Sequence, residues 1–138
     1  MATTENRGIV ILRLRHSDED VFQIGEKIGL PIATHWQKGD AINRGPELEV
    51  RTRQDSYWST QVQIDDRGLT RSIDKLIDPL LANREVIRKF VSRGGDINIY
   101  LQLNGKLNTG DSLPVSMLRD LSDLGVSLDI EVFPNNGT

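Results

Sequence analysis

The feature that most constrains the fold is a strict alternation of apolar and polar residues in three separate segments. It runs through residues 57–64, 97–103 and 126–132. Successive side chains of a β-strand point to opposite faces of a sheet, so each segment predicts a strand with one buried and one wet face. A sheet that is wet on one side is typically antiparallel, and its apolar side needs a covering layer.

Amphipathic segments that can supply this layer lie between the strands. Apolar residues recur at spacings of three and four in residues 18–28, 70–93 and 112–124, which predicts helices. Glycines follow each of them and are typical helix stops. Pro79 interrupts the longest segment. Because proline removes a donor and clashes with the preceding turn, we expect a kink there, or two helices with Asp78 capping the second.

The remaining segments complete the order of elements. The apolar run 9–12 predicts a central strand, and residues 32–53 predict two short strands joined by a loop of about eight residues. The order β-α-β-β-β-α-β-α-β favours an α+β fold: a mostly antiparallel sheet with helices on one face, in a ferredoxin-like layout with an extra hairpin and an appended α-β unit. We expect one domain over 1–138, with the polar ends 1–6 and 134–138 flexible.

Composition narrows the classes of function. The chain of 138 residues contains no cysteine, which excludes disulfides, thiolate metal sites and a cysteine nucleophile. No signal segment or membrane-length apolar run is visible, so we expect a cytoplasmic protein without membrane contact. The net charge of -3 disfavours nucleic-acid binding and is compatible with a basic protein partner.

No catalytic, metal or phosphate-binding motif is visible. The only histidines are His16 and His35, and neither has the further ligands that a zinc site requires. The chain has no Gly-x-Ser-x-Gly element, and no glycine loop stands between a strand and a helix. We therefore expect no cofactor, no metal and no catalytic residue, and we lean against an enzyme.

The region around the 32–53 hairpin holds the candidate binding residues. They are polar or aromatic side chains near turn-forming glycines: His35, Trp36, Lys38, Asp40, Arg51 and Trp58. Each has a structural alternative. Residues 38–40 favour a simple turn, the parity of Trp58 favours the core, and the arginines can pair with glutamates on a wet sheet.

Five short motifs in this order resemble those of a family catalogued as domain of unknown function 4279. They are Ile28-Gly29-Leu30-Pro31 after the first helix, residues 36–40 (Trp-Gln-Lys-Gly-Asp), the Tyr57-Trp58 pair, the helix closing at Gly94-Gly95, and residues 121–130. The resemblance covers nearly the whole chain. It implies a small stand-alone bacterial α+β domain and no established activity.

Three classes of function remain open. The first is a non-catalytic protein-binding module, with toxin immunity as an analogy from other small bacterial domains. The second is a small-molecule or enzymatic site around the hairpin. The third is RNA binding on the wet face through exposed Tyr57 and Tyr100, which the acidic balance disfavours. An uncovered edge strand also offers a route to a homodimer.

Overall fold

The computed structural model describes residues 7–42, 51–105 and 111–133. The elements in these ranges, in chain order, are β1 (Gly8–His16), α1 (Phe22–Ile28), β2 (Thr34–Trp36), β3 (Ala41–Ile42), β4 (Arg51–Thr52), β5 (Ser56–Gln63), α2 (Leu69–Ala82), α3 (Arg84–Ser92), β6 (Asp96–Asn104), α4 (Val115–Leu124) and β7 (Ser127–Phe133). The predicted α+β class is confirmed. The ends expected to be flexible, and residues 43–50 of the hairpin, lie outside the described residues.

Five of the strands form one sheet in the order β2-β5-β1-β6-β7. β1 pairs antiparallel with both β5 and β6, β2 pairs antiparallel with β5, and only β6 and β7 run parallel. The mostly antiparallel sheet is therefore confirmed. Strands β3 and β4 form a separate two-stranded ladder, and α4 with β7 extends the sheet at one edge. The ferredoxin-like layout itself stays a prediction.

One face of the sheet, called the closed face here, carries the core. Its residues alternate along the strands, so that Leu14 of β1 lies opposite both Trp58 of β5 and Ile97 of β6. The helices add further buried apolar residues to the same cluster: Ile24, Ile28, Ile73, Leu76, Ile77, Leu80, Ile87, Phe90, Met117, Leu121 and Leu124. Helices therefore cover the centre of the closed face.

Trp58 is the largest fully buried side chain of this core, with 0% of its surface exposed. Helix α1 lies directly on its indole ring. A Cβ placed on Gly25 would lie 2.4 Å from the indole nitrogen, so only glycine allows this approach. The expectation that Trp58 belongs to the core is confirmed.

The break in the long helical segment lies four residues beyond the predicted position. α2 continues through Pro79 to Ala82, and α3 begins at Arg84. Proline costs α2 one backbone hydrogen bond, and burial of one helix face outweighs that loss. The chain breaks instead at Asn83, whose side-chain nitrogen donates to the Pro79 carbonyl at 2.8 Å. Asp78 lies inside α2, so the expectation that it caps a second helix was wrong.

The last strand departs from its pattern in another way. Ile130 and Val132 have the parity of the closed face, yet they are 59% and 56% exposed. β7 lies at the edge of the sheet, while α4 packs against α2 and α3. The alternation of residues 126–132 correctly predicts a strand, but helices do not cover all of its apolar side.

Candidate functional site

The other face of the sheet, called the open face here, carries the polar residues of the alternating strands, and no helix among the described residues covers it. On its β2 side it holds a stack of four side chains, Arg53, Trp36, Tyr57 and Arg15, which we call the Arg–aromatic ladder. The Arg53 guanidinium lies 3.7 Å from the centre of the Trp36 ring. The Trp36 and Tyr57 rings are stacked at 4.3 Å, and the Arg15 guanidinium lies 4.8 Å from the Tyr57 ring.

Strand pairing explains the position of the ladder. Trp36 of β2 lies opposite Tyr57 of β5, and Tyr57 lies opposite Arg15 of β1. Asp55 joins two of the members, because its carboxylate accepts from Arg15 Nη1 at 2.9 Å and from Trp36 Nε1 at 3.4 Å. These hydrogen bonds hold Trp36 and Arg15 in a defined arrangement.

Arg53 forms the outer end of the ladder. Its backbone is held by the neighbouring turn, since its amide donates to the Asp40 carbonyl and its carbonyl accepts from the Gly39 amide. Within the described ranges no carboxylate lies within ion-pair distance of its guanidinium. The Arg53 guanidinium thus rests on an aromatic ring and has no ion-pair partner among the described residues.

A second network lies on the β7 side of the same face. Arg13 donates to Asn98 Oδ1 at 2.8 Å and to Asp129 Oδ2 at 3.0 Å, and its guanidinium lies 4.4 Å from the Tyr100 ring. The Tyr100 hydroxyl donates to Glu131 at 2.6 Å. This bond favours the protonated phenol and raises the pKa of Tyr100 above its ordinary value.

Comparison with known proteins gives one result. Residues 4–134 match the family described as domain of unknown function DUF4279. The chain belongs to this family. No curated protein and no solved structure matches it. The resemblance found in the five short motifs is therefore confirmed, and it assigns no activity to the DUF4279 domain; a bacterial origin stays a prediction.

The predicted binding residues of this DUF4279 domain do not meet in one place. Trp36 lies in the Arg–aromatic ladder, while Trp58 is buried on the opposite face. His35 precedes Trp36 in β2 and points to the side of α1, where its ring lies 5.0 Å from Phe22. His35 Nε2 is buried without a hydrogen bond, 3.7 Å from an Asp20 oxygen.

The other three predicted residues lie in or beside the short strands β3 and β4 and have different contacts. Asp40 accepts from the Gln37 amide at 2.8 Å, which closes a turn in which Gly39 has a φ of 92°. Lys38 Nζ lies 3.1 Å from Asp18, whose pKa it lowers through this hydrogen bond. Arg51 is exposed on β4. The turn at residues 38–40 is confirmed; whether any of these residues binds a ligand stays a prediction.

A depression of about 300 Å³ lies between α1 and α3, lined by Glu19, Asp20, Gln23, Ile24, Phe90 and Arg93. Buried His16 lies beside it and has a structural role. Its Nδ1 accepts the amides of Asp18 and Glu19 at 2.9 and 2.8 Å, and its Nε2 donates to the Arg93 carbonyl at 2.9 Å. These bonds take up both ring nitrogens of His16.

Two further findings concern the described residues as a whole. In residues 7–42, 51–105 and 111–133, no three histidine, aspartate or glutamate side chains are grouped closely enough to hold a metal ion. No helix in those ranges is long and apolar enough to cross a membrane.

Sequence reasoning missed most of the ladder. Arg53 lies in the predicted 32–53 hairpin and Tyr57 has the wet parity of its predicted strand, while Arg15 follows the apolar run 9–12 that predicts the central strand. Their stacking depends on the pairing of β2 with β5, which the sequence does not state. The expectation that Tyr57 is exposed was wrong: Trp36 and Arg15 cover its ring and leave it 8% exposed.

Proposed function

We propose that this DUF4279 domain is a non-catalytic protein-binding module whose partner docks on the open face of the sheet. The observation that carries the proposal is the Arg–aromatic ladder. Tryptophan, tyrosine and arginine are the residues most enriched at the energetic centres of protein interfaces. Here they lie side by side on the open face, which no helix in the described part of the chain covers.

The rigidity of the ladder supports the same proposal. Ordering a free side chain at an interface costs about 0.5–1.5 kcal/mol. Asp55 already fixes Trp36 and Arg15 through hydrogen bonds, and stacking fixes Tyr57 between them. A partner that contacts the ladder avoids most of this ordering cost.

A narrower form of the proposal is toxin immunity, in which the partner is a toxin that the domain blocks. Its support is the analogy with other small bacterial domains that block toxins. Gene neighbourhood separates this form from the general one. A toxin gene directly beside the coding sequence in several genomes favours immunity, and its consistent absence counts against it.

The second candidate function is a small-molecule or enzymatic site near the hairpin. The positioned Arg53 cation over Trp36 favours it, since such a pair suits an anionic ligand. Titration with inorganic phosphate, followed through the side-chain NMR signals of Arg53 and Trp36, tests this alternative. A saturable shift that Arg53→Ala abolishes supports a ligand site; unchanged signals at millimolar phosphate count against an anion site.

Site-specific crosslinking tests the protein-binding proposal. A photoreactive amino acid is placed at Gln61, which is exposed on the open face, and separately at Arg71, which is exposed on α2. In cells of the native host we expect one dominant protein to crosslink to the Gln61 variant and not to the Arg71 variant. Equal labelling from both positions would contradict docking on the open face.

The identified protein is then purified and its affinity measured. We expect Arg53→Ala and Trp36→Ala each to weaken binding roughly tenfold or more, because truncating an interface hot spot costs about 2 kcal/mol. Arg71→Ala is the matched control, since it removes the same charge from a helix, and it should leave affinity unchanged. Unaltered binding by both ladder variants would overturn the proposal.

A further inference from the structure

The outer side of β7 has no neighbouring strand among the described residues. β7 is the last strand of the sheet and pairs only with β6 among the described residues. An edge strand presents unpaired backbone amides and carbonyls that can bind another strand. Two apolar residues of this edge, Ile130 and Val132, are more than half exposed. Single exposed apolar residues are common on protein surfaces. Ile130 and Val132, by contrast, are adjacent on the same face of one edge strand.

The same edge carries two carboxylates. Asp129 and Glu131 alternate with the apolar residues and therefore lie on the open face. Arg13 pairs with Asp129 from the inner side of the sheet. Glu131 is bonded by the neutral Tyr100 hydroxyl, and no cation lies within ion-pair distance of it among the described residues. The edge therefore has an acidic side and an apolar side.

We propose that β7 accepts a β-strand from a partner protein, and that this strand alternates basic with apolar side chains. In an added strand, residues directly opposite each other point to the same face of the sheet. Basic side chains would lie opposite Asp129 and Glu131 on the open face. Apolar side chains would lie opposite Ile130 and Val132 and cover them. Backbone hydrogen bonds supply affinity, and the alternation supplies specificity.

The charge pattern disfavours a second copy of this chain as the occupant. An antiparallel pair of β7 strands related by a two-fold axis keeps the open faces on the same side. The register centred on Ile130 places Asp129 of each copy opposite Glu131 of the other. The adjacent registers place Asp129 opposite itself or Glu131 opposite itself. Like charges directly opposite each other destabilise a strand pair, so a homodimer through β7 is not expected.

This surface is independent of the Arg–aromatic ladder. The ladder lies at the β2 side of the sheet, and β7 forms the opposite edge. Substitutions in the ladder should therefore leave strand addition unchanged. Failure of one proposal does not imply failure of the other.

The experiment uses two synthetic peptides of seven residues, blocked at both ends. One alternates lysine with valine, and the other carries glutamate in place of each lysine. Binding to the isotopically labelled wild-type protein is followed by the backbone amide signals of β7. We expect saturable shifts in residues 127–133 and an affinity for the basic peptide roughly three- to tenfold higher than for the acidic one. Absence of saturable binding, or shifts only outside β7, would overturn the proposal.

Charge reversal provides the matched test. Glu131→Lys should invert the peptide preference, and the milder Glu131→Gln should reduce it. Glu85→Lys makes the same charge change in the first turn of α3 and should leave the preference intact. If Glu131→Lys and Glu85→Lys reduce binding of the basic peptide equally, net charge rather than the edge explains the preference and the proposal fails. A wild-type dimer in sedimentation, together with β7 amides that are protected from hydrogen exchange, would identify a second copy of the chain as the occupant and overturn the proposal.

Discussion

The two faces of the five-stranded sheet share the same strands but are stabilised by different interactions. On the closed face, Leu14, Trp58 and Ile97 lie opposite one another and are at most 1% exposed. Burial alone stabilises them, and their exact partners matter less than their volume. On the open face, stacked rings and ion pairs hold the arginines and aromatic side chains in defined positions. We therefore expect substitutions on the closed face to change stability most, and substitutions on the open face to change the proposed binding most.

The strongest test of this difference is to truncate one tryptophan on each face. Trp58→Ala should lower the free energy of unfolding by about 3–5 kcal/mol, because it leaves a large cavity under α1. Trp36→Ala should cost about 1–2 kcal/mol, because its ring is only partly covered. Urea unfolding followed by circular dichroism measures both. Equal losses in the two variants would remove the distinction between the faces.

A second test of the closed face is to add a methyl group where α1 contacts Trp58. Gly25→Ala should lower the free energy of unfolding by about 1–3 kcal/mol, since its Cβ would enter the Trp58 ring. Glu26→Ala, one residue later on the exposed side of α1, is the control and should change stability by less than about 0.5 kcal/mol. A Gly25→Ala variant as stable as Glu26→Ala would show that α1 does not lie on Trp58.

Most of the closed face was predictable because its signal is local. Alternation identified three strands, and the glycine stops at Gly29, Gly94 and Gly125, all with positive φ, ended the helices where expected. The break at Asn83 was not predictable in the same way. A proline inside a helix has a known cost, but whether tertiary packing outweighs it depends on contacts far along the chain.

The ladder predicts a measurable coupling on the open face. In a double-mutant cycle of Arg53→Ala and Trp36→Ala, we expect a coupling free energy of about 0.5–1 kcal/mol from the cation–π contact. The cycle of Arg71→Ala with Trp36→Ala should show none, because Arg71 lies on α2. Additive losses in the first cycle would mean that Arg53 does not rest on the indole in solution.

The smallest expected effect concerns Tyr100 and Glu131 on the open face. Their hydrogen bond raises the pKa of Tyr100 in the folded state, so its stabilising contribution is present below the unfolded pKa of about 10 and is lost as the pH rises through the folded pKa. Ultraviolet titration of Tyr57→Phe, in which Tyr100 is the remaining tyrosine, measures this pKa. Adding Glu131→Gln should lower it, and an unchanged pKa would show that the bond is absent.

The open face was less predictable because its organisation is nonlocal. Alternation places Tyr57 on the wet parity of its strand, but its stacking on Trp36 requires that β2 pair with β5 in one register. The same limit applies to β7, where parity correctly assigns Ile130 to the apolar side and says nothing about whether a helix covers it. Sequence patterns indicate on which face of the sheet a residue lies. The side chains that it contacts there depend on which strands pair and in which register.

Trp58 and Trp36 lie on opposite faces of one sheet, and we propose that the partner of the Arg–aromatic ladder docks on the face of Trp36. Hydroxyl-radical footprinting with mass spectrometry reads both tryptophans, the only two in the chain, in a single measurement. We expect Trp58 to be oxidised slowly in both the free and the bound protein. We expect Trp36 to be oxidised fast in the free protein and slowly in the crosslinked complex. Oxidation of Trp36 at the same rate in both states, or rapid oxidation of Trp58 in the free protein, would contradict this account.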